Sequence, residues 1–478
     1  MSATPGTKLP STRELASQFG AGPVTVQRAV TSLVADGVVE TRPGRGTFVR
    51  ARRSPSSGAE VAWQTATLGP MRSVTSPVGT ALRQVPHDTI AMHSGYPDPS
   101  LLPMREVEAA LTRAARREQS YRRPPVAGLP ELRSWFADEL CAPGGSTWHE
   151  SEVMIASGGQ AALAAAFRGL AAPGEPIVME SPTYWGAIGA ARQAGLVIVP
   201  VPRVDGAPRP ADLDTVFATT GARLFYAQPN FANPTGDRWD DKQRNDILDT
   251  VVAHRAFVIE DDWAHDFGID VEARPLAAAE HDGHVVYIRS LTKSVSLSMR
   301  VAAVAARGPA RLRIEQSLSH SDLFVSPVLQ AAALDVVTRP SWRSHRKALA
   351  LGLGERRDAL LQALRSAGFD AQRPAGGLHL WVGLDGSGEN GSGANGSGEN
   401  ASGVNASGVN ASGENGPGPS GPVDPEVVAA RVLAAGLAIS PGGEWFPAEP
   451  TGAYVRLTYA ATDPGRYGEA VAILAAAL

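Results

Sequence analysis

Short, uninterrupted apolar runs alternate with Ala-rich helical stretches through most of this chain. The runs are Val153–Ala156, Pro176–Met179, Leu196–Val201, Leu224–Ala227, Phe257–Glu260 and Val285–Ile288. Runs of this length without polar alternation predict strands buried on both faces, hence an α/β fold whose sheet is covered by helices on either side. The first fifty residues carry another pattern. Leu15, Ala16 and Phe19 recur at helical spacing after Pro10-Ser11-Thr12, and Gly20-Ala21-Gly22 marks a turn. Pro23 opens a second helix with Val26, Ala29, Val30 and Leu33 on its inner face. Val38–Arg42 and Thr47–Arg50 then read as short strands around Pro43-Gly44-Arg45-Gly46.

Helix, turn, helix and hairpin make a winged-helix outline for residues 1–53. Residues 54–88 lose periodicity and are rich in Ser, Pro, Ala and Gly, which predicts a flexible linker. The α/β part is expected to fill 89–478, with a smaller subdomain from roughly 345 to the end. Within it, [Gly/Ala]-Ser-Gly-x-Asn repeats with period five from Gly386 to Asn415. A segment with no apolar side chain beyond Val and Ala cannot offset the entropy of ordering, so 386–422 is expected to be a disordered insert. Its Asn-Ala-Ser triplets match a glycosylation acceptor but are read as loop expansion. Beyond the insert, a helix is expected near Glu426–Leu437 and a strand at Tyr454–Tyr459.

Composition sharpens this division. The net charge of −4 argues against a chain coated with nucleic acid. Yet residues 1–53 hold eight Lys and Arg against Glu14, Asp36 and Glu40, a basic module on an acidic body. Cys141 is the single cysteine, which excludes an intrachain disulfide and a thiolate metal site. No run approaches the ~20 apolar residues that span a bilayer. No membrane partner is expected, and the cytoplasm is the expected location.

Lysine is rare: Lys8, Lys242, Lys293 and Lys347 are all there are. Lys293 stands out because it follows the Val285–Ile288 run within Ser290-Leu291-Thr292-Lys293. A nucleophilic amine cannot be replaced by guanidinium, which is never deprotonated. Two hydroxyls and Arg300, seven residues on, are suited to a phosphate dianion. Asp261 ends a strand where a carboxylate can hold a pyridinium nitrogen protonated. Asn233, in Asn233-Pro234-Thr235-Gly236, can bond a ring oxygen. Ser157-Gly158-Gly159-Gln160 opens a helix whose free N–H groups and dipole face a phosphate.

In this order these motifs resemble the fold-type I, class I aminotransferase family from about Ala91 to Leu478. The resemblance implies a large and a small domain, pyridoxal 5'-phosphate as cofactor and an internal aldimine at Lys293. It implies Asp261 on the pyridine nitrogen and Asn233 on the ring oxygen. Ser290, Thr292, Arg300 and the Gly159-Gln160 turn would hold the phosphate. Tyr184 would stack on the ring, and Arg456 would bind a substrate carboxylate. No metal ligand is implied. The family commonly has Tyr near Trp263, and an indole cannot make the same hydrogen bond as a phenol. Tyr121, seven residues before Gly128, does not match the family's intersubunit tyrosine.

Residues 9–50 resemble the GntR winged helix: Leu-Pro-Ser-Thr-Arg-Glu-Leu-Ala, Val-Thr-Val-x-Arg-Ala and Gly-Arg-Gly-Thr-Phe-Val. The fusion matches the MocR subgroup of GntR regulators. It implies DNA as a partner, contacted by Arg13, Thr25, Arg28 and the wing tip Gly44-Arg45-Gly46. GntR modules usually have a further helix before Leu-Pro-Ser, which would cover Leu15, Phe19 and Leu33; eight residues precede that point here. The expected function is a transcription regulator that senses an amino compound, or pyridoxal phosphate itself, through Lys293. A homodimer is implied. The alternative is an active class I aminotransferase with a vestigial DNA-binding module.

Overall fold

The computed structural model describes residues 6–35, 38–50, 63–64, 67, 79–141, 145–384 and 423–478. The insert expected at 386–422 lies outside them, as does most of the linker. The chain divides into two units, Met1–Val74 and Thr75–Leu478.

In the first unit, α1 (Thr12–Phe19) and α2 (Pro23–Ala35) precede the antiparallel pair β1 (Val39–Arg42) and β2 (Gly46–Val49). Helix α1 is closed at its start by a reciprocal cap. The Ser11 N–H donates to Glu14 Oε2 at 2.7 Å, and Ser11 Oγ accepts from the Glu14 N–H at 3.3 Å. At its end Gly20 takes φ 60°. Pro43 and Gly44 (φ 72°) form the hairpin turn, with the Arg45 N–H donating to the Arg42 carbonyl at 2.9 Å. Residues 6–9 pair with the free side of β2 through Gly6 N–H to Val49 O and Leu9 N–H to Thr47 O, each 2.8 Å. Val26 and Val39 are the buried hydrophobic residues described here, whereas Phe19 is 71% exposed and Leu33 38%.

The second unit begins with a short strand, β3 (Ile90–Ala91), which pairs in parallel with β13 (Leu437–Ala438) near the other end of the chain. Its main sheet is built from β4 (Val153–Ala156), β5 (Pro176–Ser181), β6 (Val197–Val204), β7 (Ala207–Pro208), β8 (Leu224–Ala227), β9 (Phe257–Asp261), β10 (Val285–Ser290) and β11 (Ala302–Ala305). Their order is β4-β11-β10-β9-β8-β5-β6-β7. From β10 to β6 neighbours run parallel, while β11 is antiparallel to β10 and β4, and β7 to β6. Strand β11 went unread in the sequence because Ala302-Ala303-Val304-Ala305 has the composition of a helix.

Side chains alternate between two cores. Val258, Phe225 and Tyr287 face one side, with helices that include α3 (Met104–Ala115) and α4 (Pro130–Leu140). Ile259, Tyr226 and Ile288 face the other, with α5 (Gly159–Leu170) and α6 (Trp185–Gln193). A third core holds the smaller sheet, in which β15 (Tyr454–Thr458) lies between β12 (His379–Gly383) and β14 (Ser440–Pro441). Phe231 and Trp263, on loops leaving β8 and β9, are buried in this third core and so join the two sheets.

Residues 79–88 differ from the expected linker, because they are packed on this unit. The Thr80 N–H donates to Glu444 Oε2 at 3.1 Å, Ala81 is buried, and the Arg83 carbonyl bonds His93 Nε2 at 2.8 Å. Their order comes from partners distant in the chain, which local composition does not register. Among the described residues no helix is long and apolar enough to cross a membrane.

Candidate functional site

The C-terminal ends of β4, β5, β8, β9 and β10 point one way, and the residues singled out in the sequence gather there. Two devices form an anion cradle. Gly158, at φ 96°, lets the turn before α5 pass so close to Arg300 that a Cβ would stand 2.7 Å from Nη2. Arg300 donates to the Ser157 carbonyl at 3.2 Å. At the end of β10, Ser290 Oγ bonds Thr292 Oγ1 at 3.0 Å, and the Ser290 Cβ is 3.6 Å from where a Cβ of Gly159 would be. A guanidinium, two hydroxyls and the N-terminus of α5 thus surround one point.

Asp261 is buried at the end of β9. Its Oδ2 accepts from Tyr226 OH at 2.7 Å and from Gln228 Nε2 at 2.8 Å. Burial pushes its carboxyl above the usual range, while these two donors and nearby Lys293 oppose the shift. Gln228 Oε1 accepts the Asn233 N–H at 2.9 Å, and Asn233 Oδ1 accepts from Arg456 Nη1 at 3.2 Å. One hydrogen-bonded chain therefore runs from Asp261 to Arg456. Sequence reading missed Tyr226 and Gln228: Tyr226 resembles any interior position of an apolar strand, and only the folded sheet brings its hydroxyl to Asp261.

Arg456 is buried, with no carboxylate among the described residues in hydrogen-bond contact. Its Nη2 donates to the His93 carbonyl at 2.7 Å, its guanidinium lies 4.4 Å from the Trp445 ring centroid, and its Nε has no partner among those residues. Burial lowers its pKa to about 10. Tyr184 bonds Gln160 Oε1 at 3.2 Å, and burial pushes its hydroxyl upward, so the phenol stays neutral. A Cβ at Gly186 would stand 2.4 Å from Tyr184 Cζ, so glycine there lets the tyrosine ring lie across the start of α6.

Lys293 is within electrostatic reach of Asp261 and Arg456. Desolvation, then Arg456, lower its pKa to about 7, and Asp261 opposes them. Its Nζ is 4.1 Å from the ring centroid of Trp263, on which His379 stacks at 5.8 Å. Arg13, Thr25, Arg28, Gly44, Arg45 and Gly46 are all exposed in the first unit. Thr25 and Arg28, three apart on α2, share a face.

A sheet of this order with a low-pKa lysine, a buried aspartate and an anion cradle at its strand ends is that of a pyridoxal-phosphate protein. Residues 92–474 match the family model for aminotransferases of class I and II, and residues 2–49 match that for bacterial regulatory proteins of the gntR family. The chain belongs to the aminotransferase class I and II family and joins to it a GntR-type DNA-binding segment, the combination of the MocR group.

The chain is 28% identical over 387 residues to the uncharacterized HTH-type transcriptional regulator YisV of Bacillus subtilis, covering 79% of both. It is 27% identical over 375 residues to the probable rhizopine catabolism regulatory protein MocR of Rhizobium meliloti, covering 75% of this chain and 73% of that one. The structure resembles LysN, the α-aminoadipate aminotransferase of Thermus thermophilus complexed with N-(5'-phosphopyridoxyl)-L-leucine. The TM-score is 0.70 at 24% identity, covering 84% of this chain and 95% of that one, and this likeness shows the fold.

Pyridoxal phosphate is the cofactor that the family implies, and the residues present fit it. The cradle at Gly158, Arg300, Ser290 and Thr292 matches a phosphate dianion, and Asp261 matches a protonated ring nitrogen. Lys293 supplies an amine whose lowered pKa leaves it substantially neutral near neutral pH.

Proposed function

We propose that this protein is a transcription regulator whose aminotransferase-like unit carries pyridoxal phosphate on Lys293 and reads an amino compound there. The observation that carries this reading is the gathering of an anion cradle, the buried Asp261 with its two donors and the Lys293 amine at one set of strand ends. When bound, the cofactor supplies an aldehyde that exchanges reversibly between amines. The chain's own residues do the rest. Asp261, steadied by Tyr226 and Gln228, would hold a proton on the ring nitrogen. Asn233 would meet the ring oxygen, and Tyr184 would cover the ring. Ser290, Thr292, Arg300 and the Gly159-Gln160 helix start hold the phosphate. Arg456, buried with no carboxylate in hydrogen-bond contact among the described residues, would take the carboxylate of an amino compound at this site.

Arg13, Thr25 and Arg28 read a major groove, and Gly44-Arg45-Gly46 approaches the adjacent backbone. The protein acts as a cytoplasmic homodimer on two half-sites. Ligand binding shifts the balance between arrangements that differ in affinity for DNA.

The test is a DNA-shift assay on the gene's own upstream region, with and without pyridoxal phosphate and a panel of amino acids and amines. A ligand-dependent shift, lost in Lys293→Ala together with the visible absorption of the lysine-bound cofactor, is expected. Binding of DNA that no amine alters would overturn the sensing role.

A working aminotransferase is the second reading, favoured by the completeness of the set Lys293, Asp261 and Arg456. Sustained amino-group transfer to a keto acid, with no DNA shift, would establish it instead.

A further inference from the structure

Lys293 and Arg456 are two cations beside one carboxylate, Asp261, which already accepts hydrogen bonds from Tyr226 and Gln228. A single negative charge cannot balance both, yet the lysine Nζ has a defined seat 4.1 Å from the centre of the Trp263 indole. That indole is buried, and its own N–H has no hydrogen-bond partner among the described residues. Trp263 therefore offers the site its π face rather than a donor. The electron-rich face of a tryptophan attracts an ammonium within about 6 Å, more strongly than phenylalanine does.

His379 completes the arrangement. It stacks on the Trp263 ring with 17° between planes, and its Nε2 lies 3.2 Å from Arg456 Nη1. Because a guanidinium only donates, Nε2 accepts, and the imidazole is neutral with its proton on Nδ1. Burial, Arg456 and Lys293 all keep it neutral. Among the described residues, the ionisable groups that act on Lys293 or are acted on by it are Asp261 from β9, Arg456 from β15 and the uncharged His379 from β12.

We propose that Trp263 is a positioning residue that holds the Lys293 ammonium on its indole face, with His379 stacked on the same ring. The inference deepens the reading of Lys293 as the cofactor-bearing residue. A free Lys293 amine at this seat would have its charged form favoured by the indole face against desolvation and Arg456. A lysine biased toward the charged form would be a poorer acceptor for a proton from substrate carbon. The site then retains a bound amino compound more readily than it turns it over, which suits a sensor.

The test is the titration of Lys293 in the full-length chain after removal of cofactor, followed by NMR of ¹³C-methylated lysines. The chain has four lysines, so the spectrum is sparse, and Lys293→Arg assigns the signal. Without the ring the ammonium loses a favourable contact. In Trp263→Met, which keeps bulk, the midpoint of Lys293 is expected to fall by about half a pH unit or more. In Trp263→Phe it is expected to fall less. Should Trp263→Met fail to melt cooperatively, Trp263→Phe carries the test alone. An unchanged or raised midpoint in a folded variant would overturn the proposal. Because cofactor is absent from the measurement, failure of Lys293 to bind pyridoxal phosphate would count against the proposed function and leave this result readable.

Discussion

The two units solve the problem of burial in opposite ways. In the second, β4, β8 and β11 are buried along their whole length, and β9 and β10 along all but one residue. In the first, α1 has no buried residue, and Val26 and Val39 are the buried hydrophobic positions described. So short a unit cannot enclose much apolar surface. Its order rests on local devices: the Ser11–Glu14 cap, Gly20 at the helix end, and the Pro43-Gly44 turn. A unit with three cores can hold a half-buried lysine and a buried arginine whose pKa values are both lowered. A module held by caps and turns instead leaves its polar groups on the surface, where DNA is met.

Substitutions separate these two kinds of order. The largest effect is expected from Phe225→Ala in β8, whose side chain is fully buried. Denaturant unfolding of the second unit should show a loss of about 3–5 kcal/mol, and a loss below about 1 kcal/mol would mean the sheet tolerates cavities that close packing forbids.

Next comes pH. Because the pKa of Lys293 is lowered to about 7, its neutral form grows as pH rises through that value. The rate at which cofactor-free protein captures pyridoxal phosphate should rise about tenfold per pH unit below 7 and level off above it. A rise that continues to about pH 10 would show that the lysine is solvated as on any surface.

Gly158→Ala is expected to weaken cofactor binding by about tenfold or more, read by absorbance titration. The added Cβ meets the Arg300 guanidinium, and φ 96° is strained for alanine. Undiminished affinity would remove Gly158 and Arg300 from the cradle.

Effects in the first unit are smaller. Arg28→Ala should reduce the slope of log affinity against log salt by about one if Arg28 meets a phosphate. An unchanged slope would place Arg28 away from the DNA backbone. Smallest of all, Phe19→Ala should change the stability of the first unit by no more than about 0.5 kcal/mol, since the ring is 71% exposed. A large loss on thermal melting would show that another surface covers Phe19.

The amino-acid sequence by itself determined where the parallel strands of the sheet run, because a strand buried on both faces is largely apolar, whereas the Ala-rich β11 went unread. It also determined which chemistry is present, since a lysine kept among arginines, Asn233-Pro234-Thr235-Gly236 and the Ser290-x-Thr292-Lys293 turn are local statements. Tertiary structure alone decided the remainder. It set Tyr226 and Gln228 on Asp261, joined Asn233 to Arg456 across 223 positions of the chain, and seated residues 79–88 on the second unit. It also turned Trp263 from a missing hydroxyl into the surface on which Lys293 rests. Each of these pairs residues from separate elements. Local periodicity reports which face of an element is apolar, but not which side chain stands opposite.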